Sequence, residues 1–170
     1  SRVLGLLQAG LAAAHSAFEA ALHSHLMTPM PPALKSRYEE ASDSVGGALH
    51  PPSSLLDHPP LAVLCNRVCE VLNELRECAI ASTETRAHDT MAASLTLSCE
   101  SLAVYWVDGE SSLEQAEREH VLGAMRCMAG DLVPYIAQCL MRVYGTDKPL
   151  LKCDAVSVCL VEQVEFEEQA

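Results

Sequence analysis

Aromatic side chains are scarce in this 170-residue chain: one Trp, four Tyr and two Phe. Cations are scarce as well, with 11 Lys and Arg against 23 Asp and Glu for a net charge of −12. A platform for single-stranded nucleic acid needs exposed aromatics beside cations, and an acidic average surface repels a phosphate backbone. The two shortages together argue against a nucleic-acid partner. No apolar run approaches the roughly 20 residues of a membrane span. The chain also lacks a Gly-rich phosphate loop, a Gly-x-Ser-x-Gly elbow and a His-Glu-x-x-His pair, and none of its cysteines are spaced Cys-x-x-Cys. The usual sequence footholds for phosphate transfer, acyl transfer and zinc are therefore missing.

Cysteine itself is plentiful, at positions 65, 69, 78, 99, 127, 139, 153 and 159. Most of these residues stand among Leu, Val, Met and Ala, where a reduced thiol packs as a small hydrophobe. A disulfide scaffold is normally a shorter chain that pins turn-rich polar segments. The expectation is eight free structural thiols in a reducing compartment, with no metal and no cofactor.

Arg2 and the apolar run Val3 to Ala14 loosely mimic a secretory signal. Gln8 interrupts that run, however, and Leu4, Leu7, Leu11, Ala14, Phe18, Leu22 and Leu26 continue at three- and four-residue steps. The stripe predicts an amphipathic helix over residues 1–27, stopped by Pro29, Pro31 and Pro32. The chain opens on Ser rather than Met, as a fragment of a longer protein would. Residues 28–57 hold those prolines with Pro51 and Pro52, the pair Gly46-Gly47 and several serines. They read as a Pro/Ser-rich connection, with room for a short helix near Leu34 to Ser42. So long a connection suits an elongated scaffold or a functional insertion.

Pro59 and Pro60 suit a first helical turn, where a missing N–H costs nothing. They open a helix predicted over 59–80, apolar at Leu61, Leu64, Val68, Leu72, Leu75 and Ala79, with Arg67, Glu70, Asn73, Glu74 and Glu77 opposite. Ser82 is the expected N-cap of a third helix, with Glu84 in its first turn. Met91, Leu95, Cys99, Leu102 and Trp106 form its stripe, and Asp108-Gly109 its end. Ser111 and Glu114 have the capping-box spacing for a fourth. That helix carries Val121, Met125, Met128, Leu132, Ile136, Leu140 and Val143 up to Gly145. Pro134 lies in phase with this stripe, which predicts one helix bent between Gly130 and Pro134 rather than two. Residues 58–145 thus read as a three-helix core and 146–170 as an acidic, partly ordered tail. In that tail Ala155 to Leu160 alternates partly like a strand, while Val161 and Val164 look helical. The fold class is all-α, an antiparallel helical bundle.

Candidate chemistry is thin. Glu117 and His120 have the Glu-x-x-His spacing of bundle metal sites, but no second copy exists to face it. A small helical-bundle enzyme or metal-binding protein using Glu117, His120 and a cysteine, Cys78 or Cys139, is the alternative reading. The leading one is non-catalytic contact with other proteins. The apolar positions outnumber what a two-helix layer hides, and large aromatics at element ends anchor interfaces. Tyr105, Trp106 and Tyr135 are the candidate contact residues.

Two segments carry a resemblance. The first is Leu55-Leu56-Asp57-His58-Pro59-Pro60-Leu61-Ala62, continuing to Asn66 and then Leu72-Asn73-Glu74-Leu75-Arg76-Glu77-Cys78. The second is Asp131-Leu132-Val133-Pro134-Tyr135 with Cys139-Leu140. Both resemble the C-terminal region of the eighth-subunit family of the conserved oligomeric Golgi complex, part of the helical-rod vesicle-tethering superfamily. Ala79 and Ile80 stand where that family tends to place a proline, and the last 20 residues find no match. The resemblance implies a bundle within an elongated helical rod, in a subunit several times longer than this chain. It also implies peripheral association with the cytosolic face of Golgi membranes and a part in intra-Golgi retrograde transport without enzymatic activity. The implied partners are sister subunits, SNAREs, Rab GTPases and coiled-coil tethers.

Overall fold

A computed structural model describes residues 1–26, 32–33, 35–37 and 49–170 of the chain. Most of the 28–57 connection, including much of the short helix expected near Leu34 to Ser42, lies outside the described residues. Six long α-helices follow in order among the described residues: α1 (Arg2–His25), α2 (Pro59–Cys78), α3 (Glu84–Gly109), α4 (Gln115–Cys127), α5 (Val133–Tyr144) and α6 (Cys153–Gln169). Two 3-10 turns, Ser53–Asp57 and Ala81–Thr83, lead into α2 and α3, and a π turn, Met128–Leu132, joins α4 to α5. No strand occurs among the described residues. The partly strand-like alternation of Ala155 to Leu160 resolves as helix, because its buried positions Val156, Ser157, Leu160 and Val164 keep to one helical face.

Side-chain contacts fix the directions. Gly10 of α1 meets Val71 of α2, while Val3 and Leu7 lie by Leu75 and Cys78, so these two helices run antiparallel. A Cβ on Gly10 would stand 2.7 Å from a Val71 methyl, so glycine is what allows this close approach. His15 bonds Ser98 and Glu19 bonds Ser101, which makes α1 parallel to α3. Arg118 and Arg126 reach Glu167 and Glu168, tying α4 to the end of α6. Arg118 at the start of α4 lies over Trp106 near the end of α3, and Tyr144 at the end of α5 bonds Thr83 just before α3, so α4, the π turn and α5 act as one long member antiparallel to α3.

One apolar core serves all of them. Leu4, Leu7, Leu11, Phe18 and Leu22 of α1 are buried with Leu64, Val68, Leu72 and Leu75 of α2, and with Met91, Leu95, Leu102 and Trp106 of α3. Val121, Met125, Met128, Leu132, Ile136 and Leu140 enter from the α4–α5 run, and Val156 and Leu160 from α6. The acidic C-terminal segment is thus a packed wall of the bundle.

Local signals differ from expectation at three points. Helix α2 ends at Cys78, and Ala79 and Ile80 are extended rather than helical. The N-cap of α3 is Thr83, not Ser82, because residues 81–83 tighten into a 3-10 turn in which the Thr83 hydroxyl donates to the Ile80 carbonyl at 2.7 Å. The capping box of α4 lies three residues later than the Ser111–Glu114 spacing suggested. Glu114 is itself the N-cap, and its backbone N–H donates to Glu117 Oε2 at 2.8 Å.

Pro134 is accommodated by the π turn. The Val133 N–H donates to the carbonyl of Met128, five residues back. The widened turn makes room for a ring that would otherwise crowd the Gly130 carbonyl. The two halves stay in helical sequence and share the same core. Because the backbone has adapted to the ring, Pro134→Ala is expected to lower stability by less than about 1 kcal/mol, through the freer unfolded chain. A gain approaching the roughly 3 kcal/mol penalty of an unrelieved helical proline, read from urea unfolding, would contradict this account.

Candidate functional site

The three candidate aromatics occupy different environments. Trp106 is 2% exposed and Tyr135 is 5% exposed, both inside the core. The guanidinium of Arg118 covers the Trp106 ring at 4.6 Å from its centroid. Burial, then the neighbouring Cys69 thiol, pushes the Tyr135 phenol above its ordinary range. Tyr105 is half-buried at the edge of an open groove between α1 and α3, with its ring 5.9 Å from that of His23.

That groove encloses about 550 Å³. From α1 it is lined by His15, Glu19, Leu22 and His23; from α3 by Leu97, Glu100, Ser101, Val104, Tyr105 and Asp108; and Ser112 with Leu113 closes one end. The α3 positions 97, 101, 104 and 108 recur at helical spacing, so they form a single stripe beside the buried one. Leu22 is its buried floor, whereas Leu97 and Val104 on the rim are 53% and 57% exposed. Glu19 is held in place: Ser101 Oγ donates to its Oε1 at 2.9 Å, and His15 Nε2 lies 3.5 Å away. Sequence reasoning missed this groove. Its signal was the pair Leu97 and Val104, seven residues apart and off the core stripe of α3. A second recess, between α1 and α2, holds only about 40 Å³.

The residues of the enzymatic alternative carry structural duties. Glu117 closes the capping box of α4. The Nε2–H of His120 donates to the Leu26 carbonyl at 2.7 Å, and its ring packs 5.0 Å from that of His58. No group of three or more His, Cys, Asp or Glu side chains able to hold a metal occurs among the described residues.

The His58–His120 pair has a measurable consequence. His58 is buried, and its Nδ1 finds no hydrogen-bond partner among the described residues. Burial, then repulsion from His120, lowers its pKa below 6.5, with Asp57 opposing. The native state thus resists a proton that the unfolded state accepts. The associated stability is complete above about pH 6.5 and is lost as pH falls through the folded-state value. His58→Asn is expected to flatten the decline in urea midpoint between roughly pH 7 and 5.5. An unchanged slope in the variant would refute the assignment.

All eight cysteines are free, and only Cys78 is exposed. Burial pushes Cys99 up to about 12 and Cys127 up to about 11. Cys139 is held protonated by its hydrogen bond with Cys69 and by burial. At Cys99, Cys127 and Cys139 the raised pKa leaves little of the thiolate that nucleophilic attack needs, which suits packing thiols. A thiol reagent should label Cys78 first in the native protein and all eight cysteines after denaturation without reductant. Two or more blocked thiols would overturn the reading.

The fold and groove together define a class. This is a helical scaffold bundle whose polar clusters brace the structure and whose accessible chemistry is a surface between helices. Among known proteins the chain is similar to conserved oligomeric Golgi complex subunit 8. It is 33% identical to the Drosophila melanogaster protein over 124 residues, covering 73% of this chain and 20% of that protein. To the Homo sapiens protein it is 32% identical over 101 residues, 58% of this chain and 16% of that protein. To the Bos taurus protein it is 30% identical over 132 residues, 75% of this chain and 21% of that protein. The resemblance to the eighth-subunit family is thereby shown. The chain spans about a fifth of the length of the curated relatives it matches. No protein-family model matches it, and no solved structure does. No helix among the described residues is long and apolar enough to cross a membrane.

Proposed function

We propose that the chain is a non-catalytic segment of a multisubunit Golgi vesicle-tethering complex, acting in intra-Golgi retrograde transport through protein–protein contacts. The observation that carries this is the similarity to subunit 8 along 58–75% of the chain. In this reading the bundle is one block of a longer helical rod on the cytosolic face of Golgi membranes, held there peripherally through the complex. Sister subunits are its first partners, and SNAREs, Rab GTPases and coiled-coil tethers are reached through the assembly. Tyr105, at the groove edge, is the aromatic placed to touch a partner, while Trp106 and Tyr135 belong to the core behind the surface. Affinity capture with the tagged chain from cytosol, followed by identification of bound proteins, tests the proposal. Enrichment of sister subunits is expected, and their absence from a capture with folded bait would sink it.

A further inference from the structure

We infer that the α1–α3 groove is a docking site for a basic amphipathic helix, about three turns long, presented by a partner protein. The inference rests on the tether reading only for where that partner is found. Shape favours a helix as occupant. Helices α1 and α3 run parallel here, so their facing edges make a straight valley, the geometry that accepts a third helix. From Leu97 to Asp108 the α3 edge spans roughly 16 Å at the helical rise, the length of about three turns. Leu97 and Val104 stand one heptad apart on the rim, more than half exposed, with Leu22 as the floor between the walls. A helix with apolar side chains at heptad spacing would set them against these three residues and remove the rim from water.

Charge selects the occupant. Glu19, Glu100 and Asp108 lie along both walls, and no Lys or Arg lines the groove among the described residues. A helix flanking its apolar stripe with Lys and Arg would place cations against these carboxylates, which fixes register and discriminates among partners. A second copy of this chain brings a further net charge of −12, and an anionic bilayer or nucleic acid carries the same sign, so these occupants are disfavoured.

The test uses the whole 170-residue chain and two designed helical peptides of about three heptads, both with Leu at the a and d positions. One carries Lys at e and g, the other Glu. Labelled peptide is titrated and anisotropy followed. The Lys peptide should bind, and the Glu peptide should bind at least about tenfold more weakly. Glu100→Lys with Asp108→Lys should reverse that preference, and Val104→Asp should abolish binding of both peptides. All three positions are exposed, so helical content and melting temperature should stay at the parent value and serve as the control for folding. Equal binding of the two peptides, no binding of either, or folded variants that bind like the parent would overturn the proposal. So would a dimer, or adsorption to phosphatidylserine vesicles, that Val104→Asp removes. The two readings fail separately. Capture of sister subunits that is indifferent to the groove variants leaves the tether reading standing and removes the groove from it. Selective peptide binding without sister-subunit capture does the reverse.

Discussion

Leu72→Asp is expected to unfold the chain. Leu72 is 4% exposed within α2, on the buried stripe it shares with Val68 and Leu75. Its replacement loses a packed side chain, worth about 2–5 kcal/mol in comparable truncations. It also leaves a carboxyl group in an apolar site, where an unpaired charge or its protonated form adds further cost. A domain holds only about 5–15 kcal/mol in total, so the two losses approach the whole. The neighbour Asn73 is exposed, and Asn73→Asp should stay within about 0.5 kcal/mol of the parent. The pair is read by circular dichroism and thermal melting. A Leu72→Asp protein that keeps its helical signal and melting temperature would remove α2 from the centre of the core.

Trp106→Ala is expected to cost about 3–5 kcal/mol, the range for deleting a large buried aromatic. The loss should spread beyond α3. Arg118 lies over the indole, donates to the Glu110 carbonyl at 2.9 Å and reaches Glu167 at 3.1 Å. Removing the ring therefore loosens the turn before α4 and the end of α6 together. Hydrogen exchange should show faster opening at both places. If Trp106→Ala instead left stability untouched and abolished capture of a partner, Trp106 would be a contact residue and its burial in this bundle would not describe the working protein.

The stripes of α1, α2 and α3 are legible in the sequence because each faces one continuous core. Phe18, Leu72 and Met91 are buried where three- and four-residue spacing puts them. Helix ends are harder. Ser82 and Ser111 carry capping chemistry, but a 3-10 turn and a loop shift the caps to Thr83 and Glu114. Only the local backbone path decides which polar group meets a free N–H. Pro134 announces a disturbance, and the π turn is the backbone's answer to it. The α6 segment is ambiguous in sequence because its outer face carries apolar Val158, Val161 and Phe166, which blur the period. The groove is the least legible feature. Its walls come from residues about eighty positions apart, such as Glu19 with Ser101 and His23 with Tyr105, and no local pattern reports that α1 and α3 lie parallel.

The central claim, that this bundle works as part of a tethering subunit, is tested most directly by substitution within a relative. The chain is placed in the human subunit 8 in exchange for the stretch it matches, and the chimera is expressed in cells lacking the native subunit. Sedimentation of detergent extracts is then followed with antibodies to the other subunits. The account predicts that the chimera travels with the assembled complex. A folded chimera found only at the position of the free subunit would contradict it.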